Sequence, residues 1–129
     1  MMIAVDPSAI VSLLLGEPGS DEIGHKLASD RIVISAPGWV ELSIVLEARV
    51  GAEASVLLGE LRNRIDLHIV AVDEAMAHEA VSAWRRFGKG RHPAALNFGD
   101  CFSYALAQSL GVALLFVGSD LARTDLQFA

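Results

Sequence analysis

Four short runs with strand character, Met2–Val5, Arg31–Ser35, Leu67–Val72 and Val112–Val117, alternate along this chain with stretches that read as helices. Ile32-Val33-Ile34 gives the second run a β-branched centre, and Val112–Val117 is the strongest strand signal of the four. Such alternation predicts an α/β fold, a three-layer α/β/α sandwich whose mainly parallel, Rossmann-like sheet is covered on both faces through right-handed crossovers.

The helices announce themselves by their ends. Asp6 suits a cap and Pro7 the first helical position of an apolar helix over Ser8–Leu15, broken by Gly16, Pro18 and Gly19. Ser20–Ala28 follows with Ile23 and Leu27 inward. Pro37 opens a helix to about Val50, ended by Gly51, and Ala52–Ile65 is its antiparallel partner with Val56, Leu57 and Leu61 inward. Asp73–Phe87 has Ala75, Met76, Ala80, Val81 and Trp84 as its apolar set, and Gly88–Leu96 reads as a loop. After Gly99, Phe102, Leu106 and Leu110 recur at i, i+4 and i+8 with Cys101 and Ala105 beside them, predicting a helix buried on most of its circumference. A short helical turn and an edge strand are expected at the end of the chain.

At 129 residues the chain fits one domain, 1–129, with one core and no linker. Its hydrophobic fraction of 53% is rich, so some apolar surface is expected to be reserved for a partner or a second copy, a homodimer being the simplest case. The apolar runs fall far short of the roughly 20 residues that span a bilayer. The N-terminus lacks the basic region of a signal peptide, and a single cysteine permits no internal disulfide, so a reducing cytoplasm is the expected compartment. A net charge of −6 argues against a general polyanion-binding surface. Yet Arg85, Arg86, Lys89 and Arg91, four of the ten basic residues, fall within seven positions, which allows a local basic patch.

The acids carry the chemistry. In parallel sheets ligands bind beyond the carboxyl ends of the strands, near the point where strand order reverses. Asp6 follows the first strand, Asp120 the last, Asp100 begins the helix that feeds the last, and Glu41 lies one turn into the helix leaving the second. All four can therefore reach one rim. Taken singly, Asp6, Asp100 and Asp120 read as helix caps. Glu41 is harder to explain that way, because it shares a face with Gly38, Val45 and Ala48. A dry, unpaired carboxylate costs several kcal/mol, so either a cation meets it or that face opens on a cleft. Carboxylates gathered together stay ionised at neutral pH only around a cation. An all-oxygen set favours Mg²⁺ or Mn²⁺ over Zn²⁺, the arrangement suited to phosphodiester hydrolysis.

Val5-Asp6-Pro7-Ser8-Ala9, the isolated Glu41 after Pro37, Leu96-Asn97-Phe98-Gly99-Asp100-Cys101-Phe102-Ser103-Tyr104-Ala105 and Leu114-Leu115-Phe116-Val117-Gly118-Ser119-Asp120 with Thr124-Asp125 together resemble the PIN-domain ribonucleases, over essentially the whole chain. The resemblance is strongest to their VapC-type members, the toxins of bacterial and archaeal toxin–antitoxin pairs. It implies a Mg²⁺- or Mn²⁺-dependent endoribonuclease acting on RNA, inhibited by a cognate antitoxin that lays a segment into the active-site groove. Asp6, Glu41, Asp100 and Asp120 match the acidic quartet, with Asp6, Asp100 and Asp120 as metal ligands. Asp125 matches a frequent extra acid, and Ser8 a polar residue beside the metal. Pro7 stands where the family commonly has Thr, removing a hydroxyl and a backbone donor next to Asp6, and Leu121 stands where Phe is common.

Arg85, Arg86, Lys89 and Arg91 either grip RNA phosphates near the cleft or line a solvated loop. His92 reads as polar surface and Cys101 as core packing rather than a nucleophile. Trp39, Trp84, Phe102 and Tyr104 read as core or interface. A domain of the same shape that has lost catalysis and only binds a partner is the alternative; the intact acidic quartet speaks against it. A phosphorylation-controlled receiver fits poorly, since only one acid follows the first strand and no lysine lies beyond Lys89. Metal and acids do not read the sugar, which leaves DNA open as a substrate.

Overall fold

The computed structural model describes residues 1–129. Strands β1 (Met2–Val5), β2 (Arg31–Ser35), β3 (Asp66–Val70) and β4 (Ala113–Leu115) form one sheet in the order β3-β2-β1-β4, every pair parallel. Helices α1 (Pro7–Leu14) and α2 (Ser20–Ser29) join β1 to β2, α3 (Ala36–Val50) and α4 (Glu53–Arg64) join β2 to β3, and α5 (Glu74–Phe87) and α6 (Phe98–Leu110) carry the chain from β3 to the far edge at β4. Strand order therefore reverses around β1. No helix is long and apolar enough to cross a membrane.

The period-2 alternation of the strands sorts the core into two layers. Ile3, Val5, Ile32, Ile34 and Leu115 pack with residues of α1, α2, α3 and α4, whereas Ala4, Val33 and Leu114 pack with α5, α6, Leu121 and Leu126. The expected sandwich is thus present, with helices on both faces of the sheet.

Several local expectations need correction. Only Ala113–Leu115 of the run Val112–Val117 is strand. The chain leaves the sheet there because the Val117 N–H donates to Ser8 Oγ at 3.0 Å instead of to a neighbouring strand. The C-terminal edge strand is reduced to one bridge between Leu114 and Phe128. In α4 the buried face is Ala54, Leu58 and Leu61, leaving Val56 exposed, a rotation from the expected set. In α5 it is Met76, Ala80, Ala83 and Phe87, and Val81 and Trp84 face outward at 44% and 43% exposure. Helix α6 is indeed buried over most of its circumference, from Cys101 and Ser103 through Ala107, because it packs on the sheet, α5 and α3 together. Of its expected stripe only Leu106 is fully buried; Phe102 is half-buried and Leu110 exposed.

Candidate active site

Asp6 is tied at three points. Its backbone N–H donates to Leu115 O at 2.9 Å, extending the β1–β4 ladder beyond the last paired residue. Its Oδ2 accepts the Ser8 N–H at 3.0 Å and so caps α1. Its Oδ1 accepts from the Ser103 hydroxyl of α6. The donor to the cap is residue 8, so the N–H missing at Pro7 costs Asp6 nothing, and the proline only presets φ for the first helical turn.

Asp100 does help cap its helix, as the N3 residue of a capping box whose N-cap is Asn97. Its N–H donates to Asn97 Oδ1 at 2.9 Å, and its Oδ2 accepts the Asn97 N–H at 3.1 Å. One carboxylate oxygen remains for other work. Burial pushes its pKa up to about 6, partly opposed by the Asn97 N–H and reinforced by the charges of Asp6 and Asp120. Asp120 stands exposed at the start of the 3₁₀ turn Leu121–Arg123 with no side-chain capping bond.

Asp6, Ser8, Asp100 and Asp120 line one cleft of about 330 Å³ together with the rest of the segment Phe116–Leu121. It lies between the ends of β1 and β4, where strand order reverses. Glu41 opens on an adjoining groove of about 390 Å³ with Pro37, Val40, Ile44, Val45, Phe98, Gly99 and Phe102. Of the two explanations for this acid, a facing cation or an open cleft, the fold supplies the cleft; no basic side chain pairs with it. Burial raises its pKa, as do the charges of Asp6 and Asp100. A Cβ at Gly99 would overlap the Glu41 Oε1 atom, so glycine is what lets this carboxylate lie against the start of α6.

The donor set is all hard oxygen. No three of these side chains close on one another as a complete ligand cage. Oxygen donors suit a hard ion such as Mg²⁺ better than Zn²⁺, whose sites commonly draw on Cys and His. Burial is the main cause of the raised pKa values of Glu41 and Asp100; the neighbouring acidic charges add to it, and that added part is what a divalent cation would relieve.

Other expected site residues lie elsewhere. Asp125 faces away from the cleft: its carboxylate accepts from Tyr104 Oη at 2.6 Å and from Arg86 Nη2 at 2.9 Å, and Arg86 Nη1 also reaches Tyr104 Oη at 3.2 Å. This trio ties α5, α6 and the C-terminal segment together. Arg91 stacks over Trp84 at 4.1 Å, and Lys89 and Trp84 border an apolar groove of about 560 Å³ running along α5 and α6. His92 Nδ1 accepts the Ala94 N–H at 3.0 Å, a turn-forming role. Cys101 is buried, its thiol pushed up to about 11 by burial and by Asp100, as befits a core residue. Sequence reasoning missed Ser103 and Gly99 as members of the site. The signal for Ser103 was its i+3 spacing from Asp100, which puts both on one face of α6.

A sequence model of the PIN domain matches residues 3–126. The chain is 41% identical over 124 residues to a protein named ribonuclease VapC from Mycolicibacterium smegmatis, covering 95% of this chain and 96% of that one. Its fold is similar to that of Mycobacterium tuberculosis VapC20, described as a sarcin-ricin loop cleaving toxin, with TM-score 0.79 at 19% identity over 98% of each chain. It is also similar to a chain of the VapBC2 complex of Rickettsia felis bound to a DNA fragment from their promoter, with TM-score 0.77 at 13% identity, over 99% of this chain and 96% of that chain.

Proposed function

The chain belongs to the PIN-domain family, and from that membership we propose that it is a divalent-metal-dependent endoribonuclease, the toxin of a type II toxin–antitoxin pair. The observation that carries this reading is the placing of Asp6, Asp100 and Asp120 on one cleft at the reversal point of the sheet. These three would hold a Mg²⁺ or Mn²⁺ ion, with Ser8 bracing the cleft through Val117. Such an ion, when bound, supplies Lewis-acid polarisation of a phosphodiester and a water acidic enough to act as nucleophile. Glu41, raised in pKa and lying one groove away, would exchange a proton with the substrate.

Arg85, Lys89 and Arg91 supply cationic contacts for RNA phosphates on an otherwise acidic surface. Arg86 contributes charge behind them, its guanidinium being shared between Asp125 and Tyr104. The partner is an antitoxin that inserts a segment into the active-site cleft, and the setting is cytoplasmic. Val40, Ile44, Val81, Trp84 and Phe98, all exposed, support association with a second copy of the chain, all within one PIN domain spanning 1–129.

The test compares cleavage of matched single-stranded RNA and DNA by the full chain with Mg²⁺, with Mn²⁺ and with a chelator, beside Asp100→Asn. RNA cut only with the cation, and lost in the variant, is the expected result. No cleavage with any divalent ion would replace this reading with a partner-binding domain that lacks catalysis, and equal cutting of DNA would overturn the substrate class.

A further inference from the structure

We propose that Ser103 is a positioning residue for the metal site, acting through Asp6; the inference rests on the metal-dependent reading above. Serines within helices commonly donate back to the carbonyl one turn earlier. Ser43 does so to Trp39 O, and Ser29 to His25 O, both at 2.8 Å. Ser103 instead directs its hydroxyl out of α6 to Asp6 Oδ1, across 97 positions of sequence. Both groups are almost closed to solvent, Ser103 at 3% and Asp6 at 5% exposure.

Capping of α1 explains only one of the two Asp6 oxygens, the Oδ2 that accepts from Ser8 N–H. With that bond alone the carboxylate could pivot about its last torsion. The Ser103 hydroxyl fixes the second oxygen and hence the carboxylate plane. An ionised carboxylate offers about four lone-pair directions. Two are taken here, and the cleft is the direction left open. Ser103 also lies one turn beyond Asp100 on α6, so a single helix carries one ligand and orients another. Outer partners of this kind set ligand orientation and cation affinity without touching the ion.

Mn²⁺ binding to the full chain, measured by titration calorimetry, tests this together with thermal melting in chelator. The variants are Ser103→Ala, Ser103→Cys, which keeps the size but donates weakly, and Ser103→Thr, which keeps the hydroxyl. Ala and Cys should raise the Mn²⁺ Kd by about 10–100-fold, and Thr should stay within about threefold of the unaltered chain. RNA cleavage lost at low Mn²⁺ in Ser103→Ala should return when Mn²⁺ is raised. Should the alanine variant not fold, Ser103→Cys decides the question alone. A Kd unchanged within about twofold, with only the melting temperature lowered, would make Ser103 a packing residue and overturn the proposal. An unaltered chain that binds no Mn²⁺ would instead overturn the metal reading, and the proposal with it.

Discussion

The Glu41 carboxylate lies against the bare Cα of Gly99, in space that any side chain at position 99 would fill. Gly99 is the second residue of α6 and has no positive φ, so its backbone does not require glycine. Gly99→Ala should therefore leave helix propensity equal or better, by up to about 1 kcal/mol. The same change must displace Glu41, and a shift of about 1 Å at a reacting group costs about 100-fold in rate. Normal denaturant stability with strongly reduced RNA cleavage is expected; unchanged kcat would show that Glu41 takes no part in the reaction.

Asp100 ties stability to pH in the metal-free protein. Its folded pKa of about 6 lies above the ordinary 3.8. The protonated form is thus favoured by folding, and the stability it contributes is full below pH 3.8 and lost as pH rises through 6. Asp100→Asn should remove that loss. The difference in unfolding free energy between variant and unaltered chain, measured in chelator, should shift in favour of the variant from pH 4 to pH 7. A difference independent of pH would contradict the buried, repelled state assigned to this carboxylate.

Arg86 and Asp125 form an ion pair that is half-exposed on both sides, so its own contribution is at most about 1 kcal/mol. Tyr104 between them is buried, and its phenol is pushed up to about 12 by burial and the Asp125 carboxylate. Tyr104→Phe should cost about 1 kcal/mol in urea unfolding. Arg86→Ala should leave the salt dependence of RNA binding nearly intact. Lys89→Ala or Arg91→Ala should each lower that log–log slope by about 0.7, the single-strand value per phosphate contact. Equal slopes for all three variants would place Arg86 among the RNA contacts after all.

Ser12 is 1% exposed in α1 and its hydroxyl has no hydrogen-bond partner. An unsatisfied buried hydroxyl costs about 1–3 kcal/mol. Ser12→Ala should accordingly raise stability, by about 1 kcal/mol after the small packing loss. A fall of similar size in chemical denaturation would reveal a partner for the hydroxyl.

Residue order alone determined the layering of this protein. Alternating strand and helix signals required a parallel sheet, and the spacing of Asp6, Glu41, Asp100 and Asp120 brought four acids toward one rim, because strand ends in such sheets share an edge. The cap at Asp6 was legible too, and its carboxylate accepts from the backbone N–H two residues on. Helix faces were less legible. Val56, Val81 and Trp84 are as apolar as their buried neighbours, and only the placement of α4 and α5 against the sheet decided which side turned inward. The finer structure of the site was tertiary throughout. Asp125 and Arg86 sit near the acids and bases in sequence, yet Tyr104 on α6 draws both into a separate clamp. Ser103 meets Asp6, and Gly99 makes room for Glu41, because the first turns of α6 lie beside the end of β1 and the first turns of α3. Such contacts depend on distances between elements far apart in the chain, and no local periodicity encodes them.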